Sequence, residues 1–194
     1  RFNNSPLGTI GEFGSYSFYY SHQITSGEGG MIVCNNSENY NILKSLRSHG
    51  IIRNKKKHWV YDISNNSLNF RLTDFQCELG ISQLKKISKF IKRRKKIAKI
   101  YENKLLKLKK FLNFKFEHIN YNSSYHLLLV NLKKPNFKLK EKLMKFMFKK
   151  KITLQYHYIP IYKFSIYKKN NKFKNAEIYY NSTLSLPIFY NLKD

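Results

Sequence analysis

A serine and a histidine stand five residues apart, just before a glycine-rich turn, and both side chains could take part in chemistry. Imidazole takes up protons near neutral pH, which makes His22 a candidate general base. A hydroxyl near backbone N–H groups can bond a phosphate group, but the residues alone do not assign this role to Ser17. A local hydrogen bond within a strand is the simpler alternative for this serine. The glycines that follow, Gly27, Gly29 and Gly30, predict a tight turn that permits close approach of the backbone.

The elements around this pair are predicted to alternate between short strands and helices. Apolar or aromatic runs predict strands over residues 15–20, 31–34, 125–132, 152–157 and 184–187. Helical periodicity predicts helices over residues 36–48, 73–108 with a break near residue 88, 139–150 and 174–181. Thr73 and Gln76 have the spacing of a capping box, and residues 51–67 read as an irregular excursion. This alternation indicates an α/β or α+β fold.

Six segments of the chain resemble, in the same order, segments of the DegT/StrS family of sugar aminotransferases that depend on pyridoxal phosphate (PLP). They are residues 17–30 (SFYYSHQITSGEGG), 46–51 (LRSHGI), 68–76 (LNFRLTDFQ), 80–86 (GISQLKK), 156–161 (YHYIPI) and 176–187, with its Ala-Glu and Ser-Leu-Pro pieces. Each segment alone is a weak signal. Together they run across nearly the whole chain and are highly specific.

The resemblance implies an α/β fold, that of a fold-type-I PLP-dependent transferase. It places residues 1–88 in a large cofactor-binding domain, residues 89–112 in a linking helix and residues 113–194 in a small C-terminal α/β domain. It also implies that the chain is a fragment. The family's large domain begins well before the position of Arg1, and a final helix follows the position of Asp194.

The resemblance also assigns roles to individual residues. In most members a lysine occupies the place of His22 and forms a Schiff base with the cofactor aldehyde, which an imidazole cannot do. The serine that matches Ser17 contacts the cofactor phosphate, and the asparagine that matches Asn69 reaches across a homodimer to the partner's phosphate. His157 and Arg71 are candidates for substrate binding, with a structural histidine and an internal ion pair as the alternatives. No metal site is expected.

The histidine at position 22 leaves three explanations open. Members that remove the C3 oxygen of a nucleotide sugar resemble this chain in having histidine there. In that branch the pyridoxamine form of the cofactor (PMP) joins a 4-keto sugar, the histidine takes a proton and the C3 hydroxyl leaves. The chain could instead have lost activity, or serve as a non-catalytic binding homologue. The flanking segments resemble transaminases that aminate a UDP-linked 4-keto sugar for pseudaminic acid, so glutamate-dependent transamination is the main alternative.

The composition alone would suggest a different class of protein, one that binds nucleic acid, because the net charge is +26. The excess is mostly lysine, spread along the chain with many Asn, Ile, Tyr and Phe, which indicates a coding bias acting on the whole surface. Arginine, which specific recognition favours, is scarce. We therefore expect salt-sensitive attraction to polyanions without specific nucleic-acid binding. Two cysteines and no apolar run near 20 residues fit a cytoplasmic location without membrane insertion.

Overall fold

A computed structural model of the chain describes residues 1–57, 59–114, 122–167 and 173–193. The chain divides into two compact units, Arg1–Ser88 and Lys89–Asp194, called here the first and the second unit. Within the described ranges, no helix is both long enough and apolar enough to cross a membrane.

Two antiparallel hairpins form the strands of the first unit. They pair β1 (Phe13–Ser17) with β2 (Gly30–Cys34), and β3 (Ile51–Arg53) with β4 (Tyr61–Ile63). Ser17 lies opposite Gly30, so the glycine-rich loop leaves the sheet directly after the candidate serine. The second hairpin was not predicted, because strands of three residues are too short to show an alternating pattern.

The helices of the first unit begin at side-chain caps. Helix α1 (Ser37–Leu46) begins after Asn36, whose side-chain oxygen accepts hydrogen bonds from two backbone N–H groups of the first turn. Helix α2 (Asp74–Leu84) begins after Thr73, and Thr73 and Gln76 form the predicted capping box. The sequence signal for this helix start is confirmed.

The long helical stretch that the sequence predicted is interrupted earlier than expected. Helix α2 ends at Leu84 and helix α3 (Ile87–Leu105) begins three residues later. The two residues between them, Lys85 and Lys86, form a turn that is closed by bonds to carbonyls of the last turn of α2. The boundary between the two units falls within the first turn of α3.

The second unit is built on a four-stranded antiparallel sheet with strand order β5-β6-β8-β7. Its elements are β5 (Leu112–Asn113), β6 (Leu128–Leu132), α4 (Phe137–Lys149), β7 (Gln155–Tyr156), α5 (Lys174–Ser182) and β8 (Thr183–Leu186). The predicted strand at residues 125–132 begins later than expected, because Tyr125 has a positive φ of 50° that a strand cannot accommodate.

The hydrophobic core lies within the second unit. Every second residue of β6 is buried, as the period of a strand requires, and two of these residues, Leu128 and Val130, belong to one hydrophobic cluster with Ile97 and Ala98 of α3. The buried members of this cluster are Ile97, Ala98, Tyr125, Leu128, Val130, Leu154, Leu184 and Ile188. Leu143 and Met147 of α4 pack against it as predicted, but the prediction for Phe146 was wrong, since that ring is 56% exposed.

A lysine is fully buried in the second unit. The side chain of Lys140 on α4 has an exposed fraction of 0%, and its ammonium donates to the carbonyl of Tyr180. The Nζ atom lies 4.5 Å from the ring centre of Tyr156 and 4.6 Å from that of Tyr180. No carboxylate among the described residues forms an ion pair with it. Burial lowers the pKa of Lys140 to about 8.

The first unit has no comparable core. Among its described residues no hydrophobic side chain is buried, and large apolar side chains such as Phe75 (84% exposed) and Leu68 (66% exposed) face outward. The contacts that order it are hairpin pairing, helix caps and loop hydrogen bonds.

Arg94 on α3 connects several loops of the second unit, and its replacement by methionine is expected to destabilise that unit. One guanidinium nitrogen donates to the carbonyls of Tyr125, His126 and Ile188 at 2.9, 3.1 and 3.0 Å. Removing a charged donor to three carbonyls should lower the free energy of unfolding by roughly 2–4 kcal/mol. Denaturant unfolding of Arg94→Met beside Lys92→Met, an exposed position on the same helix, measures this. Equal midpoints for the two variants would contradict the expectation.

Candidate active-site loop

The loop between β1 and β2 is closed by its own backbone. The N–H of Phe18 donates to the carbonyl of Gly29 at 2.8 Å, and the N–H of Ser26 donates to the carbonyl of Phe18 at 3.0 Å. The hydroxyl of Thr25 donates to the same Phe18 carbonyl at 3.2 Å. These bonds join the two ends of the loop, so its shape follows from the sheet that carries it. The predicted strand over residues 15–20 ends at Ser17 because the chain turns into this loop.

Side chains hold the second half of the loop. The hydroxyl of buried Ser26 donates to the carbonyl of Glu28 at 2.8 Å, and Thr25 Oγ1 accepts the N–H of Gly27 at 2.9 Å. Gln76 Nε2 on α2 donates to the same Glu28 carbonyl at 3.0 Å, across 48 residues of sequence. Gln76 was predicted only as a capping residue, because nothing local in the sequence indicates a contact over this separation.

Gly29 packs closely against two side chains. A Cβ atom added at this residue would lie 2.4 Å from Ser26 Oγ and 2.8 Å from a methyl carbon of Leu72. Both distances are shorter than real side-chain contacts, so a larger residue would have to displace the Ser26 hydroxyl and the end of the Leu72 side chain. Gly29 was predicted to permit close approach, and the groups that approach it are the side chains of Ser26 and Leu72 in this chain.

His22 lies half-buried near the middle of the loop. Its backbone N–H donates to the carbonyl of Tyr19 at 3.0 Å, which forms a tight turn, and the edge of its ring faces the Tyr19 ring with centres 5.9 Å apart. Its Nδ1 atom lies 3.4 Å from the carbonyl of Ser17, a long hydrogen bond. In the tautomer with its proton on Nδ1, the ring satisfies that carbonyl and Nε2 is the basic nitrogen.

Ser17 is exposed at the end of β1. Its Oγ accepts the N–H of Tyr19 at 3.4 Å, a weak contact that leaves the hydroxyl proton able to bond an incoming oxygen atom. Ser17 Oγ lies within hydrogen-bonding distance of the Tyr19 N–H, and His22 Nδ1 lies within hydrogen-bonding distance of the Ser17 carbonyl. The two candidate side chains are therefore held by the same short stretch of backbone.

Asn69 is positioned by the end of α1. It pairs with Ser48 as an isolated antiparallel bridge, and the N–H of Phe70 donates to the carbonyl of Arg47 at 2.9 Å. Its Oδ1 accepts the N–H of Arg71 at 3.1 Å, which leaves the amide N–H groups of this exposed residue as donors. An ordered backbone thus presents an uncharged donor at this point of the surface.

The two residues predicted to bind substrate have opposite environments. Arg71 is exposed, and within the part of the chain that the structure describes no carboxylate forms an ion pair with it. His157 in the second unit is 3% exposed, and its Nε2 lies 3.1 Å from Ser185 Oγ. Burial, and then the charge of Lys140, lower the pKa of His157, which favours the neutral ring. These contacts fit the structural alternative, and a role of His157 in substrate binding stays a prediction.

No group of three or more histidine, cysteine or acidic side chains is arranged to hold a metal ion within the described segments.

The sequence profile of the DegT/DnrJ/EryC1/StrS aminotransferase family matches residues 1–194. The chain belongs to this family.

The fold is accordingly that of fold-type-I PLP-dependent sugar aminotransferases. The solved structure of Helicobacter pylori PseC, an aminotransferase involved in the biosynthesis of pseudoaminic acid, is 31% identical and superposes with a TM-score of 0.90. That superposition covers 100% of this chain and 52% of PseC.

Two curated relatives in the family represent two different reactions. A Campylobacter jejuni UDP-4-amino-4,6-dideoxy-N-acetyl-beta-L-altrosamine transaminase is 35% identical over 100% of this chain and 52% of its own length. An Escherichia coli GDP-4-keto-6-deoxy-D-mannose 3-dehydratase is 37% identical over 53% of this chain and 30% of its own length. The chain spans about half the length of the full-length transaminase relatives that it matches.

The family depends on PLP, and the loop can be compared with what that cofactor needs. From residue 2 to residue 43 the sequence has no lysine and no arginine, in contrast to the rest of this basic chain. The loop therefore offers no amine for covalent attachment. Ser17 and Asn69 offer uncharged donors of the kind that bind phosphate. This donor set fits PLP or PMP held by non-covalent contacts.

Gly50 supports the backbone that carries Asn69, and its replacement by alanine is expected to destabilise the first unit. Its φ is +71°, and an added Cβ would lie 1.8 Å from the carbonyl oxygen of Asn65. The strain and the clash together should cost about 2 kcal/mol or more. Thermal unfolding of the whole protein with Gly50→Ala, beside Gly11→Ala where the nearest atom is 3.5 Å away, measures the effect. A midpoint equal to that of the Gly11 variant would contradict it.

Proposed function

We propose that the whole protein is a PLP- or PMP-dependent enzyme that acts on a nucleotide-linked 4-keto-6-deoxy sugar for a surface polysaccharide or glycan, by 3-dehydratase chemistry. The observation that carries this proposal is His22, an imidazole in the place of the family lysine, within a loop that contains no lysine. The match to a 3-dehydratase among the curated relatives supports it. Both kinds of relative are named for a nucleotide-linked sugar, and the dehydratase is named for a 4-keto-6-deoxy sugar.

The residues of this chain have separate tasks in the proposal. Ser17 holds the cofactor phosphate through its hydroxyl, and Asn69 donates to the phosphate of a second copy in a homodimer. When bound, the cofactor supplies an electron sink that stabilises negative charge developing on carbon. His22 accepts the proton at Nε2, while the Ser17 carbonyl holds the proton on Nδ1 and orients the ring. Arg71, exposed and cationic, is placed to meet a substrate phosphate.

Transamination with glutamate is the second candidate, and one observation favours it. The transaminase relative matches 100% of this chain, whereas the dehydratase relative matches 53%. Similarity over the whole chain reports ancestry, whereas residue 22 decides whether a covalent lysine linkage is available. Transamination would therefore require an amine from elsewhere in the assembled enzyme.

The experiment that separates the two reactions uses the intact protein with PLP, glutamate and a UDP- or GDP-linked 4-keto-6-deoxy sugar. Mass spectrometry of the sugar product is the measurement. We expect loss of the C3 oxygen. A product with an amine at C4 and an intact C3 hydroxyl would replace the dehydratase proposal by the transaminase one. An unchanged sugar with both nucleotides would contradict the proposed substrate class.

A further inference from the structure

A cleft of about 380 Å³ opens in the second unit, between the β5–β6 edge of the sheet and helix α5. It has no role in the reaction proposed above. Its lining residues are Asn113, Asn131, Leu132, Lys133, Pro135, Asn175, Ile178, Tyr179 and Ser182. Small-molecule sites commonly have volumes of roughly 300–1,000 Å³, with apolar walls and a few converging polar groups. The volume of this cleft falls in that range and its lining is mixed, and the cleft is open to solvent on one side.

The amide of Asn131 is fixed in one orientation. Thr183 Oγ1, in a residue that is 0% exposed, donates to Asn131 Oδ1 at 2.6 Å. With its oxygen engaged by this buried hydroxyl, the amide has two N–H groups left for contacts on the cleft side. A polar residue in the middle of a strand, held by a second buried polar residue, presents a preorganised donor to the cleft.

Three further donors surround this amide. Asn113 on β5 is the register partner of Asn131 across the sheet, so the two side chains lie on the same face. Asn175 enters from the first turn of α5, and Lys133 follows β6 with an exposed ammonium. None of the nine lining residues is acidic. The polar groups of the cleft are thus mainly donors, with one positive charge among several uncharged amides.

Such a lining is complementary to a ligand with many oxygen acceptors and a single anionic group. Amide groups bond sugar hydroxyls in either direction, and an ammonium next to them favours one phosphate or carboxylate. Ile178 and the Tyr179 ring provide apolar surface for the C–H face of a sugar ring. We propose that this cleft binds a monosaccharide that carries one phosphate or carboxylate group.

The competing explanation is general attraction of anions to a chain with a net charge of +26. It predicts that any anion binds, that the sugar is irrelevant and that any nearby lysine matters equally. Titration calorimetry of the full chain at physiological salt therefore uses four probes: glucose 1-phosphate, glucuronate, glucose and inorganic phosphate. We expect one of the two anionic sugars to bind at least about tenfold more tightly than either glucose or phosphate. Equal binding of phosphate and the anionic sugars, or no binding of either sugar, would overturn the proposal.

Adjacent lysines give a matched pair of variants. Lys133 lines the cleft and Lys134 does not, and both are exposed. Lys133→Met is expected to weaken binding of the anionic sugar by about tenfold, while Lys134→Met changes it by less than about twofold. Asn131→Asp keeps the acceptor for Thr183 but replaces the donors by a negative charge, and it should abolish binding. Equal effects of the two lysine variants, which leave the fold intact, would overturn the proposal whether or not the aspartate variant folds.

Discussion

Replacement of His22 by alanine in the intact protein is expected to lower turnover by about 10²–10⁴-fold, the usual contribution of a general base. The backbone bonds that close the loop do not involve the imidazole, so the variant should fold and bind cofactor as the parent does. Product formation under single-turnover conditions is the measurement. A rate equal to that of the parent would show that His22 is not the base.

The matched control is Ser21→Ala, the exposed neighbour of His22 in the same loop. It should leave turnover within about twofold of the parent, because no role in proton transfer is assigned to that hydroxyl. If both variants lost activity equally, the effect would report on loop shape and not on the imidazole.

His22→Lys gives a second readout that does not depend on catalysis. A lysine amine can bond the cofactor aldehyde, so borohydride reduction should leave PLP attached to the variant after denaturation. The parent should release its cofactor under the same treatment. Covalent retention by the parent would show that another lysine of the assembled enzyme takes this place, and would favour transamination.

Replacement of Lys140 by methionine is expected to remove a pH dependence of stability from the second unit. Burial lowers the pKa of Lys140 to about 8 in the folded chain, whereas an unfolded lysine has a pKa of about 10.4. The unfolded state therefore binds more protons between these two values, and the free energy of unfolding rises with pH across that window. Below it, the buried charge costs on the order of 3 kcal/mol, offset in part by the two tyrosine rings.

Denaturant midpoints at about pH 7 and about pH 9.5 test this expectation. The parent should gain stability at the higher pH relative to Lys140→Met, whose midpoint should change little. Lys142→Met, an exposed position on the same helix, should keep the pH dependence of the parent. Burial also raises the pKa of Tyr156, which favours its neutral phenol. Parallel pH profiles for the parent and Lys140→Met would contradict the assignment.

Local sequence patterns predicted the parts of the fold that local contacts determine. The capping box of Thr73 and Gln76 formed as expected because both bonds lie within four residues. Helical spacing also contained a signal for Lys140, which precedes Leu143 by three residues and Met147 by seven on one helix face. The signal is hard to recognise because the helix contains many lysines and its other lysines are exposed. Phe146 lies off that face, and this explains its exposure.

The candidate site depended on information of a different kind. Family resemblance located His22, Ser17 and Asn69, and the structure showed how each backbone is held. The contact from Gln76 to Glu28 and the Asn131–Thr183 pair could not be predicted, because they join residues 48 and 52 positions apart. The periodicity of a single chain has no information about such long-range partners.

The closed loop also bears on how new reactions arise in this family. Its shape is maintained by backbone groups and by Thr25, Ser26 and Gln76, and the turn at residue 22 uses only a backbone N–H that any residue other than proline possesses. An exchange of the side chain at that position therefore leaves these loop-closing bonds in place while it changes which bonds can be made or broken. Evolution can test a new reaction there by one substitution, without first acquiring compensating mutations elsewhere.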